Sequence, residues 1–102
     1  MAKEITDAQF DQEISTGIVF VDFWASWCGP CMMMKPIFDK MAQKYPNIKF
    51  CKVNTEQDQE KAQQLNVSGI PCIIIFKDGK EVERVVGFRP EPAFEEIVKK
   101  YA

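Results

Sequence analysis

Cys28 and Cys31, three residues apart in Trp27-Cys28-Gly29-Pro30-Cys31, are the residues whose types and spacing point most directly to chemistry. A thiol attacks only as the thiolate, so a reactive cysteine needs access and a source of charge stabilisation. The pair follows an apolar β-branched run and opens a helical pattern, which predicts Cys28 at a helix N-terminus, exposed. Unpaired N–H groups and the helix dipole favour an anion there. Cys31 is expected one turn further in and more covered. This spacing lets the sulfurs close a redox disulfide or separate with little backbone movement, while Pro30 supplies the φ angle of a first helical turn. Cys28 is therefore the expected nucleophile and Cys31 the resolving thiol. C-x-x-C beside alternating strands and helices is a recognised redox pattern, so this reading is a match to a known motif.

The alternative for such a pair is half of a zinc site. Zinc usually takes four ligands, often a second C-x-x-C or a histidine pair. The chain has no histidine, and its other cysteines, Cys51 and Cys72, stand singly in or beside apolar runs. A buried free thiol there behaves as a small hydrophobe. Neither a metal nor a cofactor is expected. The missing histidine also excludes a Cys-His nucleophile pair.

The 102 residues, 46% apolar and 12% aromatic, suffice for one core, and a single domain over residues 1–102 is expected. Charged residues make up 27% and balance to a net charge of -2, which supplies no basic field for a phosphate backbone. Nucleic acid is thus an unexpected partner. The start, Met1 to Asp7, is polar, and no apolar run approaches the roughly 20 residues needed to cross a bilayer. Neither a membrane anchor nor a secretion signal is expected.

The elements that must position the cysteines are punctuated by proline and glycine. Thr6 with Gln9 reads as a capping box opening a short helix that carries Phe10 and Ile14. Ile18 to Trp24 reads as a strand buried on both faces, with Asp22 its one charge. A helix from the cysteines carries Met34, Ile37, Phe38 and Met41 towards Tyr45, with a kink expected at Pro36. Ile48 to Asn54 is the next strand, followed by a polar surface helix ending at Leu65. Ile73 to Lys77 and Glu81 to Val86 form a hairpin about Asp78-Gly79. A last helix from near Pro90 carries Phe94, Ile97, Val98 and Tyr101. Strand–helix alternation in the first half requires parallel crossovers, and the hairpin adds antiparallel pairing. The expected class is α/β, a mixed sheet covered by helices on both faces.

Along essentially its whole length the sequence resembles the thioredoxin family. The run Val21-Asp22-Phe23-Trp24-Ala25-Ser26-Trp27-Cys28-Gly29-Pro30-Cys31 matches the family signature. Pro36, Lys52, Gly69-Ile70-Pro71, Asp78-Gly79 and Gly87 fall where the family has equivalents. The resemblance implies the thioredoxin fold, a central five-stranded mixed β-sheet flanked by four α-helices. It also implies a cis peptide between Ile70 and Pro71, facing the cysteines.

The remaining roles come from this resemblance. Read alone, Asp22 is a strand-end acid reaching solvent, since burying an unpaired carboxylate is costly. The family implies instead a buried acid behind the pair, able to take the proton of Cys31, with Lys52 beside it. Pro71, otherwise a turn before a strand, becomes the residue that sets Ile70 backbone beside the cysteines to pair with an extended substrate. Trp27, Gly29, Pro30, Ile70 and Gly87 then form a flat apolar rim, whereas Trp24 is structural. Met32 stands where the family commonly has Lys or Arg, and Cys72 where it commonly has Thr. Cys72 is read as a buried structural thiol, with a third redox thiol as the sharper alternative; of the methionines that follow Cys31, Met34 is the one expected to pack inward. The function implied is reduction of exposed protein disulfides in the cytoplasm by a monomer, with thioredoxin reductase as electron donor. A disulfide oxidase or isomerase of the same fold is the nearest rival, and a redox-independent binding clamp is the more distant one.

Overall fold

A computed structural model describes residues 2–102, so the polar start of the chain is seen from Ala2 and Met1 lies outside the description. The elements run β1 (Lys3–Glu4), α1 (Asp7–Glu13), β2 (Ile18–Trp24), α2 (Gly29–Lys44), β3 (Lys49–Asn54), α3 (Glu60–Gln64), β4 (Cys72–Lys77), β5 (Lys80–Val86) and α4 (Glu91–Lys99). The strands form one sheet in the order β1-β3-β2-β4-β5. Pairing is parallel for β1 with β3 and β3 with β2, and antiparallel for β2 with β4 and β4 with β5. This is the thioredoxin fold that the sequence led us to expect.

Alternation along the central strand explains the two cores. Val19, Val21 and Phe23 of β2 point to one face, where they meet Phe10 of α1 and Ala62 of α3. Phe20 points to the other, against Phe38 of α2 and Phe94 of α4. Successive strand side chains leave opposite faces, so a sheet covered on both sides needs apolar residues at every position. That second core is aromatic: Phe20 packs at a tilt on Phe50 and Phe38 meets it edge to face, at centroid distances of 5.1 and 5.2 Å. Asp22, two residues beyond Phe20, therefore faces the α2 side.

Local chemistry fixes the ends. Thr6 caps α1 in a reciprocal box, accepting from the Gln9 N–H at 3.3 Å while Gln9 Oε1 accepts from the Thr6 N–H at 3.0 Å. Asp7 then accepts from the N–H groups of Glu60 and Lys61, both at 3.1 Å, closing the start of α3. The hairpin turns through Asp78 and Gly79, whose φ values of 50° and 85° place both in the left-handed region. The sheet ladder shifts between Ile75 and Phe76, leaving Val82 as the extra residue of a bulge in β5.

Two outcomes differ from the sequence expectation. The polar helix is short, confined to Glu60–Gln64, because the preceding residues are spent in turns. β1 carries no apolar alternation to announce it: it is two exposed polar residues that become a strand by pairing with β3. Pro36 lies in the interior of α2, and the helix continues through it to Lys44.

Candidate active site

The cysteine loop is held from below before it becomes a helix. Ser26 donates through both its N–H and its hydroxyl to Glu56 Oε1, each at 2.7 Å. The Cys28 N–H donates to the Ala25 carbonyl at 3.2 Å. Cys28 is the N-cap residue of α2, with Gly29 and Pro30 as the first residues of the helix. Its sulfur accepts from the Cys31 N–H at 3.2 Å, so an otherwise unpaired helix donor is aimed at it. The two sulfurs are joined in a disulfide, with 5.2 Å between the Cα atoms.

Exposure is the point on which the sequence expectation needs correction. Cys28 is 5% exposed and Cys31 1%, so the order between them is as expected but neither is open to solvent. Ala25, Trp24 and Ile70 pack around the pair.

Facing the disulfide, the Ile70–Pro71 peptide is cis, as the resemblance implied. The Ile70 carbonyl oxygen stands 3.7 Å from Cys28 Sγ. Gly87, at a φ of 92°, donates its N–H to the Pro71 carbonyl at 2.8 Å, tying the end of β5 to the same loop. Trp27 is 73% exposed and Gly29 and Pro30 are exposed beside it. A groove of about 270 Å³ opens between Trp27, Ile70 and α3, with Ala62, Val67, Gln59 and Ser68 among its lining. Among the described residues, no lysine, arginine or acid lines it. Ala62 and Val67 carry no sequence signal for this role, since only tertiary packing sets α3 beside Trp27. Met32 and Met33 are exposed further along α2, while Met34 is fully buried in the aromatic core.

On the α2 side of the sheet, Asp22 is 1% exposed and its Oδ1 has no hydrogen-bond partner among the described residues. It is thus a buried acid and not the solvent-reaching strand end that the strand pattern alone suggested. Burial raises its acid dissociation to about pH 7, with Glu4 and Asp39 pushing the same way and Lys52 opposing them. Lys52 lies in register with Asp22 on the neighbouring strand, and its Nζ is 3.8 Å from Asp39 Oδ1. Glu4 and Asp39 were not marked by the sequence. Each is an ordinary acid in a polar stretch, and nothing in linear spacing brings them to Asp22.

Cys51 and Cys72 belong to the core on the α1 and α3 side, away from the face that Asp22 occupies. Both are buried; burial raises the Cys51 thiol to about 11 and raises that of Cys72 as well. Little thiolate forms at either near neutral pH, which is the chemistry of structural cysteines. Trp24 is part-buried and donates its indole N–H to Glu4 Oε2 at 3.3 Å.

Comparison with known proteins gives a consistent result. The family model described as Thioredoxin matches residues 1–100. The thioredoxin of Listeria monocytogenes is 41% identical over 102 residues, covering 99% of each chain. That of Chlamydia pneumoniae is 41% identical over 102 residues and covers the whole of both. Among solved structures, a chain from work on thiol resolution in yeast mitochondrial 1-Cys peroxiredoxin via glutathione/thioredoxin systems superposes with a TM-score of 0.88. It is 29% identical and the match covers 97% of this chain and 94% of that one.

Proposed function

Since this chain belongs to the thioredoxin family, we propose that Cys28 is its nucleophile, Cys31 its resolving thiol and Asp22 the acceptor of the Cys31 proton. The protein is a thiol–disulfide oxidoreductase that reduces protein disulfides by dithiol/disulfide exchange through Cys28-Gly29-Pro30-Cys31. In the first step the Cys28 thiolate attacks one sulfur of a substrate disulfide, forming a mixed disulfide and releasing the other substrate sulfur as thiolate. Asp22 takes the Cys31 proton, and the Cys31 thiolate then attacks Cys28. The second substrate sulfur leaves, giving a dithiol substrate and the Cys28–Cys31 disulfide.

The observation that carries this reading is the position of Cys28 Sγ, which accepts from the Cys31 N–H at 3.2 Å and faces the Ile70 carbonyl at 3.7 Å. The first contact supports stabilisation of a Cys28 thiolate, and the second supports pairing of a substrate strand with the Ile70 backbone beside it. Trp27, Gly29, Pro30, Ile70, Pro71 and Gly87 form the docking surface. Main-chain pairing to Ile70 selects an extended strand with little regard to its sequence, and the uncharged groove beside Trp27 suits a neutral flanking side chain. Lys52 tunes Asp22 through the field it exerts from the adjacent strand.

Thioredoxin reductase is the electron donor in this reading, disulfide-containing proteins are the substrates, and the chain works as a monomeric single domain over residues 1–102 in the cytoplasm. No helix among the described residues is long and apolar enough to cross a membrane. A strongly reducing midpoint potential for the Cys28–Cys31 couple fits this setting, whereas an oxidising one overturns the cytoplasmic reductase in favour of disulfide formation.

The division of labour between the cysteines is tested with Cys31→Ser. This variant retains the nucleophile but cannot resolve, so it accumulates a mixed disulfide with reduced-and-released substrate absent; non-reducing electrophoresis followed by mass spectrometry should find the adduct on Cys28. No adduct, or an adduct on another cysteine, refutes the assignment.

A further inference from the structure

We propose that Glu4, on the edge strand, controls the protonation of Asp22 by competing with it for Lys52. The proposal rests on the reading of Asp22 as proton acceptor for its importance to turnover, but the coupling itself is independent of that role.

The geometry is a row across three strands. Glu4 of β1 pairs in parallel register with Lys52 of β3, and Lys52 pairs in parallel register with Asp22 of β2. Residues in register on neighbouring strands share a sheet face, so the row reads acid, base, acid on the α2 side. Two further contacts confirm that face. Trp24, two residues on from Asp22, donates to Glu4 Oε2 at 3.3 Å, and Lys52 Nζ reaches Asp39 of α2 at 3.8 Å. Lys35 of α2 completes the charged set, with its Nζ 5.9 Å from the centroid of the Trp24 ring.

One lysine in register thus serves several acids. Lys52 has a side chain only 13% exposed, so water screens its field poorly. Among the described residues Asp22 has no hydrogen bond at Oδ1 to stabilise its charge, which leaves Lys52 as the main influence favouring ionisation. Every charge that draws on Lys52 weakens that influence, and Glu4 also repels an ionised Asp22 directly. Burial raises the acid dissociation of Glu4 itself, while the hydrogen bond from Trp24, the nearby Lys52, a backbone contact from Asn54 and the more distant Lys35 oppose the rise. Glu4 nonetheless remains an exposed residue, unlike Asp22. It is therefore the member of the row through which solvent pH and salt reach the buried acid. Glu4 is a positioning residue in this scheme, acting through Asp22 without touching the sulfurs.

The test uses the full chain in its oxidised form, with Asp22 followed by carboxyl-carbon NMR titration. Glu4→Gln preserves an oxygen to accept from Trp24 and removes only the charge. Its Asp22 midpoint should fall by about half a pH unit or more, as expected for loss of a nearby like charge. Glu4→Asp should keep a value close to that of the parent. Glu13→Gln, which removes an acid paired to Lys3 and Lys49 near the same sheet edge, should leave Asp22 unmoved. In a Lys52→Met background the effect of Glu4→Gln should shrink, because the shared cation is gone. An unchanged midpoint in Glu4→Gln, an equal fall in Glu13→Gln, or an undiminished effect without Lys52 overturns the proposal. A midpoint that falls while the pH dependence of disulfide reduction stays fixed supports the coupling and instead refutes the proton-accepting role of Asp22.

Discussion

Asp22 is a residue that the fold stabilises only in part. Its folded acid dissociation lies at about 7 against an ordinary 3.8, so the folded state holds its proton over a range in which the unfolded chain has lost it. Stability contributed by this group is therefore full below about pH 4, declines as pH rises through 7, and levels off beyond. Asp22→Asn removes that dependence. The variant should be more stable than the parent by roughly 2–4 kcal/mol at about pH 8 and nearly equal to it at about pH 4, as read from urea unfolding at each pH. The same substitution should slow disulfide reduction. Greater stability with slower turnover marks a residue kept for chemistry at a cost in folding. Equal stability at both pH values refutes the burial argument, and unchanged reduction kinetics refute the proton transfer.

At the scale of the element, short signals with a local mechanism were legible. The Thr6 box predicted the start of α1 from four residues, because a cap needs only the residues that make it. Thr6→Ala should cost about 1 kcal/mol in chemical denaturation and leave the reduction rate per folded molecule unchanged. A loss much larger than this would mean that the cap also sustains the Asp7 contacts to α3. The cysteine helix was equally legible, since Pro30 at its start and apolar spacing beyond it point to one face. β1 was not, because two polar residues have no period, and only the β3 edge makes them a strand. That unannounced strand carries Glu4, which explains why the charged row beside Asp22 was invisible in the sequence.

Across the whole molecule, the aromatic core joins the cysteine helix to the sheet and to α4. Phe20 is fully buried between Phe50, Phe94 and Tyr101, with ring centroids 5.1, 6.1 and 5.8 Å away. Phe20→Ala should lower stability by about 3–5 kcal/mol, the usual cost of losing a buried ring and leaving a cavity. Calorimetry should show the midpoint falling as one transition. A loss below about 1 kcal/mol would mean that the site collapses around the gap. The sequence by itself determined the redox pair, its helix, the buried central strand and the two-sided sheet, because these depend on residue type and on spacing within a single segment. Tertiary structure alone decided that Cys28 is nearly enclosed and that Cys72 points to the opposite core from Asp22. It also decided that Glu4 stands in register beside Lys52, next to Asp22. Each of these is a contact between strands or helices distant in the chain, set by register and packing, and no local pattern encodes it.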